Sequence, residues 1–136
     1  MADTLHFGEL ARLSGRSIHT IRWYETQGLM PGVTRDGGRR RVYSAEHIAW
    51  LDLIERLRTT GMTIAGMRNY SLIMRKGRSA RPQLRDVLVA HALLTRDRIE
   101  QQRDALKFIE RKIEFYDAWI ATGARPTIPE PPKRRR

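Results

Sequence analysis

The sequence predicts a mainly α fold. A winged helix-turn-helix body covers residues 1–76, a loop 77–82, a long dimerising coiled-coil helix 83–121, and a disordered basic tail 122–136. Three observations carry that prediction. Two short amphipathic segments flank Ser14-Gly15, an arginine-rich hairpin pattern follows them, and an apolar 4-3 rhythm runs from Leu88 to Ile120.

The first pair of elements spans residues 7–25, FGELARLSGRSIHTIRWYE. Phe7, Leu10, Ala11 and Leu13 recur at helical spacing and give a first helix with one apolar face. Ser14-Gly15 supplies the turn, since glycine takes a positive φ without steric cost. Ser17 then caps a second helix, in which Ile18 and Ile21 face inward while Arg16, His19, Thr20 and Arg22 face outward. Reading DNA with two helices needs that division, because one crosses the backbone and the other enters the major groove. The segment predicts binding to double-stranded DNA.

Charge agrees with this. The chain carries 26 basic and 15 acidic residues, formally +11. Residues 1–81 hold 14 Lys/Arg against 7 Asp/Glu, and residues 82–132 hold 8 of each. The closing Lys133-Arg134-Arg135-Arg136 supplies the rest, so the basic field lies on the first half and the tail, where it suits phosphate contact. The tail reads as either an added phosphate contact or an inert terminus. A basic surface alone would suit any acidic partner; the helix-turn-helix pattern is what selects nucleic acid.

Gly28 and Pro31 stop the second helix. Thr34 to Tyr43, TRDGGRRRVY, reads as a hairpin with Asp36-Gly37-Gly38 taking the positive φ of a tight reversal. Arg39, Arg40 and Arg41 then reach along the phosphate backbone or into the adjacent minor groove, and Tyr43 favours a packed wing over a solvated loop. Ser44 caps a third helix, Ala45 to Thr60, buried through Ile48, Leu51, Leu53, Ile54 and Leu57. Gly61 ends it. Thr63 caps a fourth, about Ile64 to Arg75, with Ile64, Met67, Leu72 and Met74 available for packing, and Pro82 suits the first turn of the next.

From there the apolar rhythm runs through Leu88, Ala92, Thr95, Ile99, Gln102, Leu106, Ile109, Ile113, Tyr116 and Ile120. That is the seam of a coiled coil sustained over more than four heptads. A helix over 83–121 would be about 57 Å long and needs a partner for its seam, which predicts a homodimer. Polar Thr95 and Gln102 interrupt the seam and set register or orientation; the a/d pattern alone leaves parallel and antiparallel open.

Several classes drop out. No apolar run is long enough to span a bilayer and no signal peptide is expected, so no membrane partner is predicted. The chain has no cysteine, which removes disulfides, thiolate metal sites and iron–sulfur clusters. His6, His19, His47 and His91 are scattered and do not stand at metal-ligand spacing. No carboxylate pair, nucleophile triad or phosphate loop appears, so neither an enzyme nor a cofactor is expected.

The run Ile18-His19-Thr20-Ile21-Arg22-Trp23-Tyr24-Glu25, then Gly28-Leu29-Met30-Pro31, then Arg41-Val42-Tyr43, resembles the hallmark of MerR-family transcription regulators. The likeness covers residues 5–75 and continues through Leu57-Arg58-Thr59-Thr60-Gly61-Met62-Thr63-Ile64. It implies a winged helix-turn-helix, a linking helix pair and an antiparallel coiled-coil dimer. Carried over, it puts Arg16, Ser17, His19, Thr20 and Arg22 on or beside the recognition helix, and Tyr24 on phosphate with Trp23 in place of the usual first tyrosine. Arg39, Arg40, Arg41 and Tyr43 fall on the first wing and Arg58 near the second. The implied mechanism is a dimer on a pseudo-palindromic promoter spacer that bends and untwists it, acting on RNA polymerase by proximity on the promoter. The location implied is cytoplasmic, on the bacterial nucleoid.

The departure from the family lies in sensing. Its metal- and redox-sensing branches use cysteines near the start and end of the dimerisation helix, which this chain lacks, and the extra domain of the multidrug-binding branch is not expected in the short tail. Among small members it looks most like the aldehyde and electrophile-stress branch, without that branch's thiol chemistry. An inducer, where one exists, is then a small molecule bound non-covalently, and Trp50, Tyr70, Tyr116 and Trp119 are its candidate lining against a plain core role. Two further readings remain at this level: an architectural or excision-type DNA-bending protein, and a basic coiled-coil interaction protein.

Overall fold

The computed structural model describes residues 4–127. Residues 128–136 of the expected tail lie outside them. Helix α1 (Phe7–Ser14) closes on Gly15, whose φ of 69° is the left-handed conformation that Ser14-Gly15 predicts. Helix α2 (Ile18–Thr26) starts at Ser17, whose hydroxyl oxygen accepts the Thr20 N–H at 3.1 Å. Strands β1 (Thr34–Arg35) and β2 (Arg41–Val42) pair antiparallel, Thr34 opposite Val42 and Arg35 opposite Arg41. Tyr43 extends the wing by exchanging two backbone bonds of 2.8 Å with Leu5.

Helix α3 (Ala45–Thr59) is entered through a local lock: the Ser44 N–H donates to His47 Nδ1 at 3.0 Å. Since Nδ1 accepts there, Nε2 carries the proton and donates to the Pro31 carbonyl at 2.7 Å. Helix α4 (Ile64–Met74) is capped by Thr63 as the sequence indicates. The segment expected as a loop at 77–82 is instead a 3₁₀ turn, Arg78–Ala80, leading directly into α5 (Arg81–Thr122).

The core sits where α1, α2, α3 and α4 converge. Leu10, Ile21, Tyr24, Leu29, Leu51 and Ile54 are wholly buried, and Met67 and Tyr43 nearly so. Trp50 stacks on Tyr70 with ring centroids 5.6 Å apart, and its indole N–H donates to the Leu29 carbonyl at 2.6 Å. Leu84, Val87 and Leu88 of α5 pack against the same cluster, and this compact unit runs to Thr95.

Four expected core residues are exposed instead: Leu13, Ile18, Leu72 and Met74. In α4 the inward face follows Met67, Tyr70 and Ser71 at the i, i+3, i+4 spacing of a helix. Leu72 stands a further 100° round from Ser71, and Met74 is the last helical residue. In α2 the inward face is centred on Ile21 and Tyr24, which leaves the first turn and Ile18 at the surface.

From Arg96 onward the second unit contains the rest of α5. Not one of the 42 residues of α5 is buried.

Candidate nucleic-acid interface

Helix α2 offers a polar outer face. Ser17, His19 and Arg22 are exposed and Thr20 is half-buried. The Ser17 hydroxyl donates to Thr20 Oγ1 at 2.9 Å, so the Thr20 O–H is left to donate outward. Arg22 lies over the Phe7 ring at 5.4 Å, a cation–π contact that holds the guanidinium along the helix rather than free in solvent. Arg16, in the turn, pairs with Asp52 of α3 at 3.6 Å, while its buried Nε has no protein partner. Ile18, assigned to the core from sequence, adds an apolar group to this outer face.

Carboxylates fix α2 from behind. The Tyr24 hydroxyl donates to Glu55 at 2.7 Å, and Arg58 stands 3.7 Å from the same carboxylate. Burial, with Glu55 alongside, pushes the Tyr24 phenol up to about 12; the hydrogen bond from Tyr24, helped by Arg58 and Arg16, holds Glu55 below the usual carboxylate range. At the other end of the helix Glu25 accepts from the Tyr43 hydroxyl at 2.6 Å and pairs with Arg41 at 2.8 Å. The Tyr43 phenol is raised for the same reasons, burial first and then Glu25.

Tyr24 is expected on phosphate and Tyr43 in a packed wing that borders the DNA. Both rings lie in the core with their hydroxyls committed to carboxylates, which agrees with the packed wing and turns Tyr24 away from the outer face. In this arrangement they present no group to a phosphate. They tie α2 to α3 and to the wing, and so set the angle at which the outer face is offered. Arg41 shares that role in part, since its guanidinium serves Glu25.

The wing holds the remaining cations outward. The turn differs from expectation: the left-handed residue is Arg39, with φ 63°, and neither Gly37 nor Gly38 has a positive φ. Asp36 builds the turn by accepting the Gly38 and Arg40 N–H groups on one oxygen at 2.9 and 3.0 Å. Arg35 donates to the Arg39 carbonyl at 2.9 Å. A non-glycine residue in that conformation costs about 1 kcal/mol or more, and here it sits at a tip where Arg39 and Arg40 are exposed.

Some positioning residues had no sequence signal. Arg68 of α4 reaches the end of α2 and donates to the Gln27 carbonyl and side chain at 2.7 and 2.6 Å. Glu25, Asp52 and Glu55 sit among basic residues where composition shows only a net charge. Of the aromatic residues considered for a small-molecule pocket, Trp50 and Tyr70 are core. Tyr116 and Trp119 stack on each other, 6.4 Å apart, on α5 in the second unit.

The seam residues divide. Leu88 packs against the core of its own protomer, and Ala92 and Thr95 are half-buried. Ile99, Gln102, Leu106, Ile109, Ile113, Tyr116 and Ile120 are all exposed, Ile120 to 81%.

A paired helix-turn-helix with a basic β wing, set on a core of four helices, defines a winged helix-turn-helix protein. Residues 6–71 match the model of the MerR HTH family regulatory proteins, which marks that stretch of the chain as a MerR-type HTH domain. Among curated relatives, an uncharacterized HTH-type transcriptional regulator of Haemophilus influenzae is 26% identical over 121 residues, 85% of this chain and 90% of that one. The HTH-type transcriptional regulator AdhR of Bacillus subtilis is 30% identical over 73 residues, 54% of this chain and 52% of its own. Of solved structures, a putative MerR family transcriptional regulator from Listeria monocytogenes superposes with a TM-score of 0.78 at 28% identity, over 88% of this chain and 90% of that one. HiNmlR, a MerR family regulator lacking the sensor domain and bound to promoter DNA, gives 0.75 at 24% identity, over 90% and 97%.

Proposed function

We propose that this protein is a homodimeric, sequence-specific regulator of transcription. It binds a pseudo-palindromic promoter spacer and distorts it. The observation that carries this reading is the outer face of α2, where Ser17, His19, Thr20 and Arg22 stand together on a helix braced from behind by Glu25 and Glu55. Such a face fits the major groove: Arg22 and His19 supply donors for base edges, Thr20 a hydroxyl, and Ile18 an apolar contact of the kind a thymine methyl accepts. Arg39 and Arg40 at the wing tip, with Arg58 and the partly exposed Arg16 and Arg41, contribute phosphate or minor-groove contacts.

The dimer follows from α5. A helix with an exposed apolar seam from Ile99 to Ile120 is finished only by a second copy, and pairing places two α2 faces on one duplex. Bending the DNA between them costs on the order of 1–6 kcal/mol, which the extra contacts of a bound dimer offset. Action on RNA polymerase then comes through realigned promoter elements, and the protein works on intracellular DNA. Among the described residues no helix is long and apolar enough to cross a membrane. The test is footprinting with a strand-distortion probe on DNA selected by the purified protein. A two-fold footprint with a hyperreactive centre between promoter elements is expected. Symmetric binding at recombination sites, outside any promoter, would replace this reading with an architectural one.

A further inference from the structure

The a/d pattern of α5 leaves orientation and register open, but the flanking charges do not. With Ile99, Leu106, Ile113 and Ile120 at a and Thr95, Gln102, Ile109 and Tyr116 at d, the e positions are Arg96, Arg103, Glu110 and Asp117. The sign reverses half-way along one edge of the helix. All four side chains are exposed, and among the described residues none takes an ion pair within its own protomer.

We propose that this reversed edge makes α5 self-complementary in a single antiparallel register, with the two-fold axis between Lys107 and Phe108. This rests on the homodimer proposed above. In antiparallel pairs e faces e. With the axis there, Arg96 meets the partner's Asp117 and Arg103 meets the partner's Glu110; symmetry repeats both, giving four attractive pairs and no like-charge pair. The core layers become Leu106 with the partner's Ile109, Ile99 with the partner's Tyr116, Ile113 with the partner's Gln102 and Thr95 with the partner's Ile120. On the other edge, Ala105 lies beside the partner's Lys112 and Arg98 beside the partner's Trp119.

The alternatives each place like charges together. One heptad toward the N-terminus sets Arg103 against its own copy and Arg98 against the partner's Lys112. One heptad the other way sets Glu110 against its own copy. A parallel pair, in which g faces e, puts Arg98 against the partner's Arg103 twice.

A second observation gives the same answer without using charge. Leu88 is occupied by its own core along with Leu84 and Val87, so the seam that a partner can use begins near Thr95 and ends at Ile120. Overlaying that free stretch on its own reverse pairs Thr95 with the partner's Ile120, the register the charges select. The N-terminal alternative needs Leu88 opposite the partner's Ile120, and Leu88 is committed elsewhere.

The absence of cysteine makes the test direct. In the full chain, the double variant Thr95→Cys/Ile120→Cys is oxidised and compared with each single variant and with Thr95→Cys/Ile113→Cys. The first should give a covalent dimer, while the singles and the 95/113 pair stay unlinked, because a disulfide requires Cα atoms within about 7 Å. Residues 95 and 120 are too far apart along one helix to link internally. Linking of 95/113 instead, or of either single variant, would overturn the register or the antiparallel orientation.

Charge variants keep the test independent of those substitutions. Arg96→Glu/Arg103→Glu and Glu110→Arg/Asp117→Arg should each dimerise at least tenfold more weakly than the parent, and their mixture should recover a heterodimer. A tighter homodimer from the first variant would mean parallel pairing and refute the proposal. Sedimentation of the parent chain separates the two layers: a monomer there removes the homodimer itself, whereas a parent dimer with the wrong link removes only the register.

Discussion

The body up to Thr95 and the helix beyond it solve opposite problems. The body buries Leu10, Ile21, Leu51 and Ile54 completely and pins its elements together with Glu25, Glu55 and Arg68. The helix beyond has no buried residue and shows solvent a stripe of isoleucine, leucine and aromatic side chains. One part is finished as a monomer and presents polar function outward. The other leaves an apolar stripe exposed, which is the surface that the proposed homodimer would cover. Damage to the first should therefore appear as lost stability, and damage to the second as lost assembly.

The largest expected effect tests the body. Leu51→Ala removes a fully buried side chain at the centre of α3, and should lower the unfolding free energy by about 2–5 kcal/mol in denaturant titrations. Next, Ile109→Glu should weaken the dimer roughly a hundredfold, about 2.7 kcal/mol, by sedimentation. The body of that variant should stay folded, as reported by near-ultraviolet dichroism of Trp50. Loss of both signals together would show that the two regions are not separable in this way.

Arg22→Ala should cost about 1–3 kcal/mol of specific DNA affinity while leaving the dimer intact, and a footprint like the parent's would remove Arg22 from the interface. Tyr24→Phe should cost about 1 kcal/mol of stability, and it changes both pH limbs. The Tyr24 phenol is raised from 10 to about 12, so its contribution is fully present below pH 10 and is lost as pH rises through about 12. Glu55 is lowered, so its contribution is present above the ordinary carboxylate range and is lost as pH falls below it. Thermal melts of the variant should show both limbs flattened. The smallest effect tests the wing: Arg39→Gly relieves the left-handed arginine and should raise stability by about 0.5 kcal/mol, with DNA affinity falling.

Legibility differed between the two regions for a physical reason. Capping and turn chemistry are local, so Ser17, Gly15 and Thr63 take the places their neighbours in sequence indicate. The wing turn shows where locality ends. Gly37-Gly38 looked like the strained pair, yet Asp36 accepting two N–H groups moves the strain on to Arg39. Tyr24 and Tyr43 are a stronger case. A tyrosine beside a recognition helix has a polar tip that suits a phosphate as well as a carboxylate, and which it meets depends on residues 18 to 31 positions away in sequence.

By itself, then, the sequence determined the order of helices, the caps, the basic wing and the a/d rhythm of α5, together with the motif that marks the family. These depend on spacing within a few turns of chain. Only the tertiary structure decided which side of each helix faces the core, that Ile18 lies outside while both tyrosines lie inside, and that Leu88 belongs to the body rather than to the free seam. Those outcomes depend on how separate helices pack against one another, since burial belongs to the contact between elements and not to any one of them.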